Sequence, residues 1–262
     1  SILDRSSTGI FNGDDAEVVA RATHWQGRKV FFSLDTPGPG EIGVVEELLV
    51  DRAFVSDPKE AAMIAEVIDV IPTVPHNVSN ALAAAGLARA VGVNHAPIQA
   101  ALQKFKLGRH RIENIFSKDE INWVDDSKAT NPHAAAASLM ATLSAIWIAG
   151  GLAKGADMAE LISRCKSRIK AAILIGGDRE LIAAELRAQA PNIEIVYIDA
   201  PVSYQRGGGD NSLMEEVVKA AKVRAVAGDT VLLAPACASM DQFISYADRG
   251  DRFAKAVLKE NS

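Results

Sequence analysis

Residues 121–151, "INWVDDSKATNPHAAAASLMATLSAIWIAGG", decide the fold. A short apolar run, "INWVD", breaks into a polar stretch carrying Asp125, Asp126, Ser127, Lys128 and Thr130. Asn131 can then cap a helix that Pro132 enters at its first position, where a missing N–H costs nothing. A second apolar run, "SAIWIAGG", closes the stretch. Strand, helix and strand in that order predict a βαβ unit with parallel strands.

The rhythm continues downstream. "KAAILIGG" (170–177), "NIEIVYID" (192–199) and "DTVLLAP" (229–235) each precede a helical pattern, so an α/β, Rossmann-like parallel sheet covered on both faces is expected. In open parallel sheets, ligands bind beyond the carboxyl ends of the strands. "DDSKAT", "GGLAKGAD" (150–157) and "PACASMDQF" (235–243) would all stand on that edge and share one cleft. The stretch 200–212, "APVSYQRGGGDNS", reads as a long mobile loop because it holds three consecutive glycines and little apolar content.

Upstream the pattern differs. "KVFFSL" (29–34) and "GVVEELLVDRAFV" (43–55) are strand-like pieces separated by turn formers such as "DTPGPGE", which suggests a small antiparallel sheet within residues 1–75. Helical spacing follows over "HNVSNALAAAGLARAVGV" (76–93) and again over "NHAPIQAALQKF" (94–105), with Pro97 in a first turn. A domain boundary near Leu107 divides the chain into a β-rich and helical part, 1–107, and a parallel-sheet part, 108–262.

Composition narrows the partners. Of 262 residues 48% are hydrophobic, and a net charge of −5 is spread without any Lys/Arg block. This argues for a globular protein with no nucleic-acid or anionic-membrane surface. No apolar run reaches the roughly 18 residues of a membrane span. Cys165 and Cys237 lie far apart with no secretory leader, which fits a reducing cytoplasm. The chain opens at Ser1 without methionine, so a fragment or processed product of a longer protein is expected.

Several motifs carry chemistry, each with a plainer reading beside it. The five polar groups at 125–130 could serve a substrate or could be a capped, solvated loop. Lys154 could hold a carboxylate among glycines that only permit a tight turn. Ser239 is expected at a helix N-terminus, where free N–H groups favour an anion. Cys237 beside it lacks a histidine partner and reads as a small buried filler. Asn77 and Asn80, three apart on a helix, could jointly read an amide-like edge such as adenine, or one could be an N-cap. Arg109, His110 and Arg111 stand at the domain junction, where a guanidinium could meet a phosphate or bridge the domains. Neither "IAGGLAKGADM" nor "AAILIGGDRE" has the G-x-G-x-x-G spacing, which disfavours an NAD-type oxidoreductase.

"HNVSNALAA", "HRIE", "WVDDSKATNPHAA", "GGLAKGAD" and "PACASMDQFISYADRG" occur in the order and spacing of the Mur ligases. The chain resembles the branch of that family that adds D-glutamate, from about Phe11 to its end, most specifically in "DSKATN" and "ACAS-hydrophobic-DQF". The resemblance implies an ATP- and Mg2+-dependent ligase of peptidoglycan synthesis that phosphorylates the carboxylate of UDP-N-acetylmuramoyl-L-alanine. The amine of D-glutamate then attacks the acyl phosphate.

Residue by residue, the resemblance makes Asn77, Asn80, Arg111 and Asp126 nucleotide contacts, with Asp126 towards the ribose. It makes Thr130 and Lys154 holders of one D-glutamate carboxylate, and Ser239 with the Tyr246 backbone holders of the other. Lys128 is similar to a pocket lysine and Arg249 to an arginine of the closing helix, both with catalytic roles. Tyr246 departs from a more usual Phe.

No G-x-x-G-K-[ST] phosphate loop occurs in the sequence, nor the family's metal-binding segment, nor its uridine domain. The resemblance therefore implies the tail of a central ATPase domain followed by a whole D-glutamate domain, monomeric, cytoplasmic, without metal ligands of its own and inactive alone. The alternative is a stand-alone module that binds a small dicarboxylate or nucleotide.

Overall fold

The computed structural model describes residues 7–262 other than 58, 203, 205, 207 and 208. The expectation of a long mobile loop at 200–212 falls partly outside the described residues. The chain divides into two compact units, one ending at Lys106 and the other beginning at Leu107.

The first unit is a five-stranded sheet in the order β1-β2-β3-β4-β5. Its strands are β1 (Thr8–Asn12), β2 (Arg28–Phe32), β3 (Ile42–Val45), β4 (Leu48–Asp51) and β5 (Ala62–Glu66). The sheet is mixed: β1, β2 and β3 run parallel, and only β3, β4 and β5 pair antiparallel. This corrects the antiparallel expectation. A short helix, α1 (Ala16–Ala22), capped by the Asp15 carboxylate on the N–H groups of Glu17 and Val18, makes the crossover that lets β2 return parallel to β1.

Two helices, α2 (Pro75–Ala90) and α3 (His95–Lys104), complete this unit. Ala81, Leu82 and Ala85 of α2 and Ile98 of α3 join Val30, Ile42, Leu49 and Ile64 of the sheet in one core. Fully buried Asp51 pins the helices: it accepts from Arg89 Nε at 2.9 Å, lies 3.0 Å from His95 Nε2, and caps the N–H groups of Ala53 and Phe54.

The second unit has six strands in the order β10-β9-β8-β11-β7-β6. They are β6 (Glu113–Lys118), β7 (Ile121–Asp125), β8 (Ala145–Gly150), β9 (Ile169–Ile175), β10 (Glu194–Tyr197) and β11 (Thr230–Leu233). All neighbours are parallel except β6, which pairs antiparallel with β7 through a tight turn at Asp119 and Glu120. Both turn residues have positive φ, the geometry of a two-residue hairpin.

Side-chain alternation along the strands builds two cores. Ala145, Trp147 and Ala149 of β8 pack under α4 (Pro132–Met140), α5 (Ala159–Cys165) and α6 (Arg179–Gln189). Ile146 and Ile148 pack on the other face with α7 (Ser212–Lys222) and α8 (Tyr246–Asn261). Burial on both faces explains why β8 is apolar throughout. β7 and β11 are neighbours, yet the helices that follow them cover opposite faces. Such a switch point opens a crevice at the carboxyl ends of the strands.

Candidate functional site

Three loops meet at that crevice, following β7, β8 and β11. Asp125 ends β7, and one of its oxygens accepts the Ser127 N–H at 2.8 Å, folding the chain back into a tight loop. The Ala236 N–H reaches Ala129 O at 2.9 Å, joining the β7 and β11 loops. Leu152 and Ala238 exchange N–H···O bonds of 2.8 and 2.9 Å, joining the β8 and β11 loops. Gly151 makes the last approach possible: its φ is +130°, and a Cβ there would lie 2.1 Å from Ala238 O.

Arg249, in α8, sits beneath all three and is 0% exposed. Its Nε donates to Ser127 Oγ at 2.9 Å and Nη2 to Ser127 O at 3.0 Å. Both Nη groups donate to Cys237 O, at 3.2 and 3.3 Å, and Nη1 lies 3.5 Å from Gly150 O. Burial brings its pKa down to about 10, so the cation persists at neutral pH. Arg249, to which the resemblance gives a catalytic role, thus has its donors engaged by the protein's own loops. Ser127 Oγ in turn donates to Tyr246 O at 2.7 Å, tying the β7 loop to the first turn of α8.

Tyr246 and Lys128 come together directly, with Lys128 Nζ 3.8 Å from the centre of the tyrosine ring. That is a cation–π contact, and the half-buried ammonium stays at the crevice. Thr130 is half-buried just ahead of α4, whose N-cap is Asn131, accepting from the Ala134 N–H at 3.0 Å. Lys154 is exposed, in the left-handed region at φ +53°. Its loop is fixed by Asp178, which accepts the Ala153 N–H at 2.8 Å.

Ser239 is 3% exposed but does not stand at a helix N-terminus as the sequence suggested. Its carbonyl accepts from the N–H groups of Gln242 and Phe243 in a turn, and α8 begins later, capped by the Ser245 hydroxyl on the Asp248 N–H. The extra turn is held by Asp241, whose Oδ2 accepts the Gly177 N–H at 2.8 Å. Cys237 is an inert filler, its thiol pushed up to about 12 by burial.

Asp126 is 7% exposed and accepts from the Ser138 hydroxyl of α4. Burial pushes its carboxyl up to about 6, opposed by bonds from Ser138 and the Ile112 backbone and by the Arg111 charge. Arg111 itself is exposed. Arg109 is a surface bridge to α8, 2.8 Å from Asp251.

In the first unit, Asn77 is buried and its amide donates to Pro72 O at 3.0 Å, whereas Asn80 is exposed. One N–H of the Asn77 amide is thus used within the chain, and the two asparagines differ in exposure. Neither asparagine caps α2, which begins after Val74 with Pro75 in its first turn.

Sequence reasoning missed the buried pair His110–Asp125, at 2.7 Å, and the anchors Asp178 and Asp241. Each partner lies far away in sequence, so no spacing signalled them. His110, Glu113 and Asp125 offer metal-ligand atoms within 4.8 Å of one another. These groups satisfy each other instead, His110 Nδ1 with Asp125 and the His110 N–H with Glu113 Oε2 at 2.9 Å.

Residues 110–237 match the family described as Mur ligase, glutamate ligase domain. A protein of Streptomyces avermitilis named UDP-N-acetylmuramoylalanine–D-glutamate ligase is 48% identical over 258 residues, covering 98% of this chain and 52% of that protein. The chain belongs to the Mur ligase family.

A Mur ligase of the same name from Thermobifida fusca is 49% identical over 229 residues, 87% of this chain and 48% of that protein. The chain thus spans about half the length of the curated relatives it matches. Among solved structures, a pseudomurein peptide ligase type C from Methanothermus fervidus aligns with a TM-score of 0.63 at 15% identity, covering 97% of this chain and 56% of that one. A murein peptide ligase from Psychrobacter arcticus gives 0.57 at 15% identity, over 98% and 52%. At that identity both speak to fold alone. These kinships do not favour a stand-alone ligand-binding module. Among the described residues no helix is long and apolar enough to cross a membrane.

Proposed function

We propose that this chain is the D-glutamate-handling part, with an adjoining piece of the ATP-handling part, of a cytoplasmic ATP-dependent ligase of peptidoglycan synthesis. The whole protein would join D-glutamate to UDP-N-acetylmuramoyl-L-alanine through an acyl phosphate. The carrying observation is 48% identity over 98% of the chain to proteins named for that reaction.

The crevice supports the reading chemically. Lys128, Thr130, Lys154 and Ser239 come from three loops bound to one another, and the Tyr246 backbone from the start of α8 tied to them, so cations and polar groups stand on one strand edge as a dicarboxylate requires. Asp126 and Arg111 lie on the β6–β7 side of that edge and would meet the nucleotide. Holding amine and acyl phosphate close is the entropic part of such catalysis. In this family Mg2+ neutralises phosphoryl charge. His110, Glu113 and Asp125 fit that ion poorly, since it prefers oxygen ligands and their facing atoms already hold the His110 ring, the His110 N–H and the Ser127 N–H.

The decisive assay is D-glutamate-dependent ADP formation from ATP and UDP-N-acetylmuramoyl-L-alanine by the whole protein, and its absence would overturn the proposal. The 262-residue chain alone is expected to be inactive. ADP formation from it would overturn that expectation.

A further inference from the structure

We propose that His110 and Asp125 form a positioning pair that sets where Arg111 and Asp126 stand. The identity of what those two groups bind rests on the ligase reading above, whereas their placement rests on geometry. Each member of the pair directly precedes one of them in the chain.

His110 is 4% exposed and Asp125 0%, with Nδ1 2.7 Å from Oδ2. The histidine backbone lies in the left-handed region at φ +64°, which disfavours most side chains and needs outside support. Its N–H is held by Glu113 Oε2 at 2.9 Å, and its carbonyl accepts the Lys128 N–H at 3.1 Å. The other Asp125 oxygen holds the Ser127 N–H. The pair thus clamps the segment leading into β6 to the loop leaving β7.

α8 leaves the pair no room to repack. A Cβ on Gly250 would fall 2.2 Å from His110 Nδ1 and 2.6 Å from Asp125 Oδ2. Neither member would touch substrate in this reading, so both are positioning residues and not catalytic ones.

Two substitutions separate geometry from bulk. Asparagine puts an amide N–H near the place of Nδ1 and tolerates positive φ, so His110→Asn should keep the clamp; His110→Ala cannot. Crystal structures of the 262-residue chain should show Arg111 and Asp126 displaced relative to each other in the alanine variant and in place in the asparagine variant. Should His110→Ala not fold, Asp125→Ala takes its place with the same displacement expected. Superimposable Arg111 and Asp126 in the alanine variant overturn the pair's role, whatever reaction the protein catalyses.

In the whole ligase, the ATP KM should rise about tenfold or more with His110→Ala and return towards wild type with His110→Asn. The D-glutamate KM should stay within about twofold. A displaced pair with equal rises in both KM values would uphold the positioning and overturn the nucleotide assignment of Arg111 and Asp126.

Discussion

Arg249 grips Ser127 twice, through Nε to the hydroxyl at 2.9 Å and through Nη2 to the carbonyl at 3.0 Å, with neither residue exposed to solvent. Its remaining donors hold Cys237 O and reach Gly150 O. One side chain therefore aligns the ends of three neighbouring strands. Among the described residues it forms no salt bridge, so its hydrogen bonds, helped by the more distant charges of Asp241 and Asp125, compensate for burying the charge.

Arg249→Met fills similar space without donors and strands several buried carbonyls. Each unsatisfied group costs about 1–3 kcal/mol, so urea unfolding of the chain should show a loss of about 3 kcal/mol or more. A loss below about 0.5 kcal/mol, the range of an ordinary surface change, would contradict the stapling role.

Lys154 is exposed, and among the described residues no hydrogen bond or ion pair occupies its ammonium. In the whole ligase, Lys154→Ala should raise the D-glutamate KM about ten- to a hundredfold by removing a charge-assisted contact, with the ATP KM nearly unchanged. An unchanged D-glutamate KM would count against the assignment.

Asp126 predicts opposite effects on stability and function. Its carboxyl titrates at about 6 in the fold against an ordinary 3.8. Between those values the folded state holds a proton that the unfolded state has released. Stability should therefore fall as pH rises through this window, by up to about 3 kcal/mol. Asp126→Asn removes that slope and should be more stable at neutral pH, while raising the ATP KM in the whole ligase. Identical pH–stability curves for the two proteins would refute the buried-acid argument.

Two glycines in one stretch should respond differently to alanine. Gly150 has φ +114°, and a Cβ there would lie 1.9 Å from Ile175 O; Gly155 has φ +78° with nothing within 4 Å. Gly155→Ala should cost about 1 kcal/mol from backbone strain alone. Gly150→Ala should cost several times that, because β8 and β9 must part. Equal thermal shifts would mean that the β8–β9 contact is not what excludes a side chain at Gly150.

Asp51 gives a test in the first unit. Burial opposes its ionisation, but bonds from Phe54, His95, Arg89 and Ala53 outweigh it and hold the carboxyl below its usual range. Its stabilisation is present above the unfolded value near 3.8 and lost as pH falls through the lower folded one. Asp51→Ala should cost about 3 kcal/mol at neutral pH, since it leaves the partly buried Arg89 without its carboxylate and the N–H groups of Ala53 and Phe54 without their acceptor. Urea unfolding at neutral pH and below pH 3 should show that cost shrinking in acid. A cost independent of pH would place the effect in packing.

The alternation of strands and helices after residue 120 was legible because β8 and β9 are apolar on both faces and only a covered parallel sheet asks for that. β6 escaped notice: "ENIFSK" is a half-exposed edge strand with a weak pattern. α1 escaped too, being seven residues long, and with it the parallel pairing of β1 and β2. Periodicity reports which face is buried and not which way a neighbour runs.

The sequence by itself determined the fold class and the three polar loops, because local pattern places strand ends and a parallel sheet puts its carboxyl ends on one edge. Tertiary structure alone decided what each polar group does there. It turned Arg249 inward as a staple, moved Ser239 off the helix start, committed the Asn77 amide to Pro72 and joined His110 to Asp125. Those partners are set by which loops the packed sheet brings within 3 Å, and chain spacing carries no record of that distance.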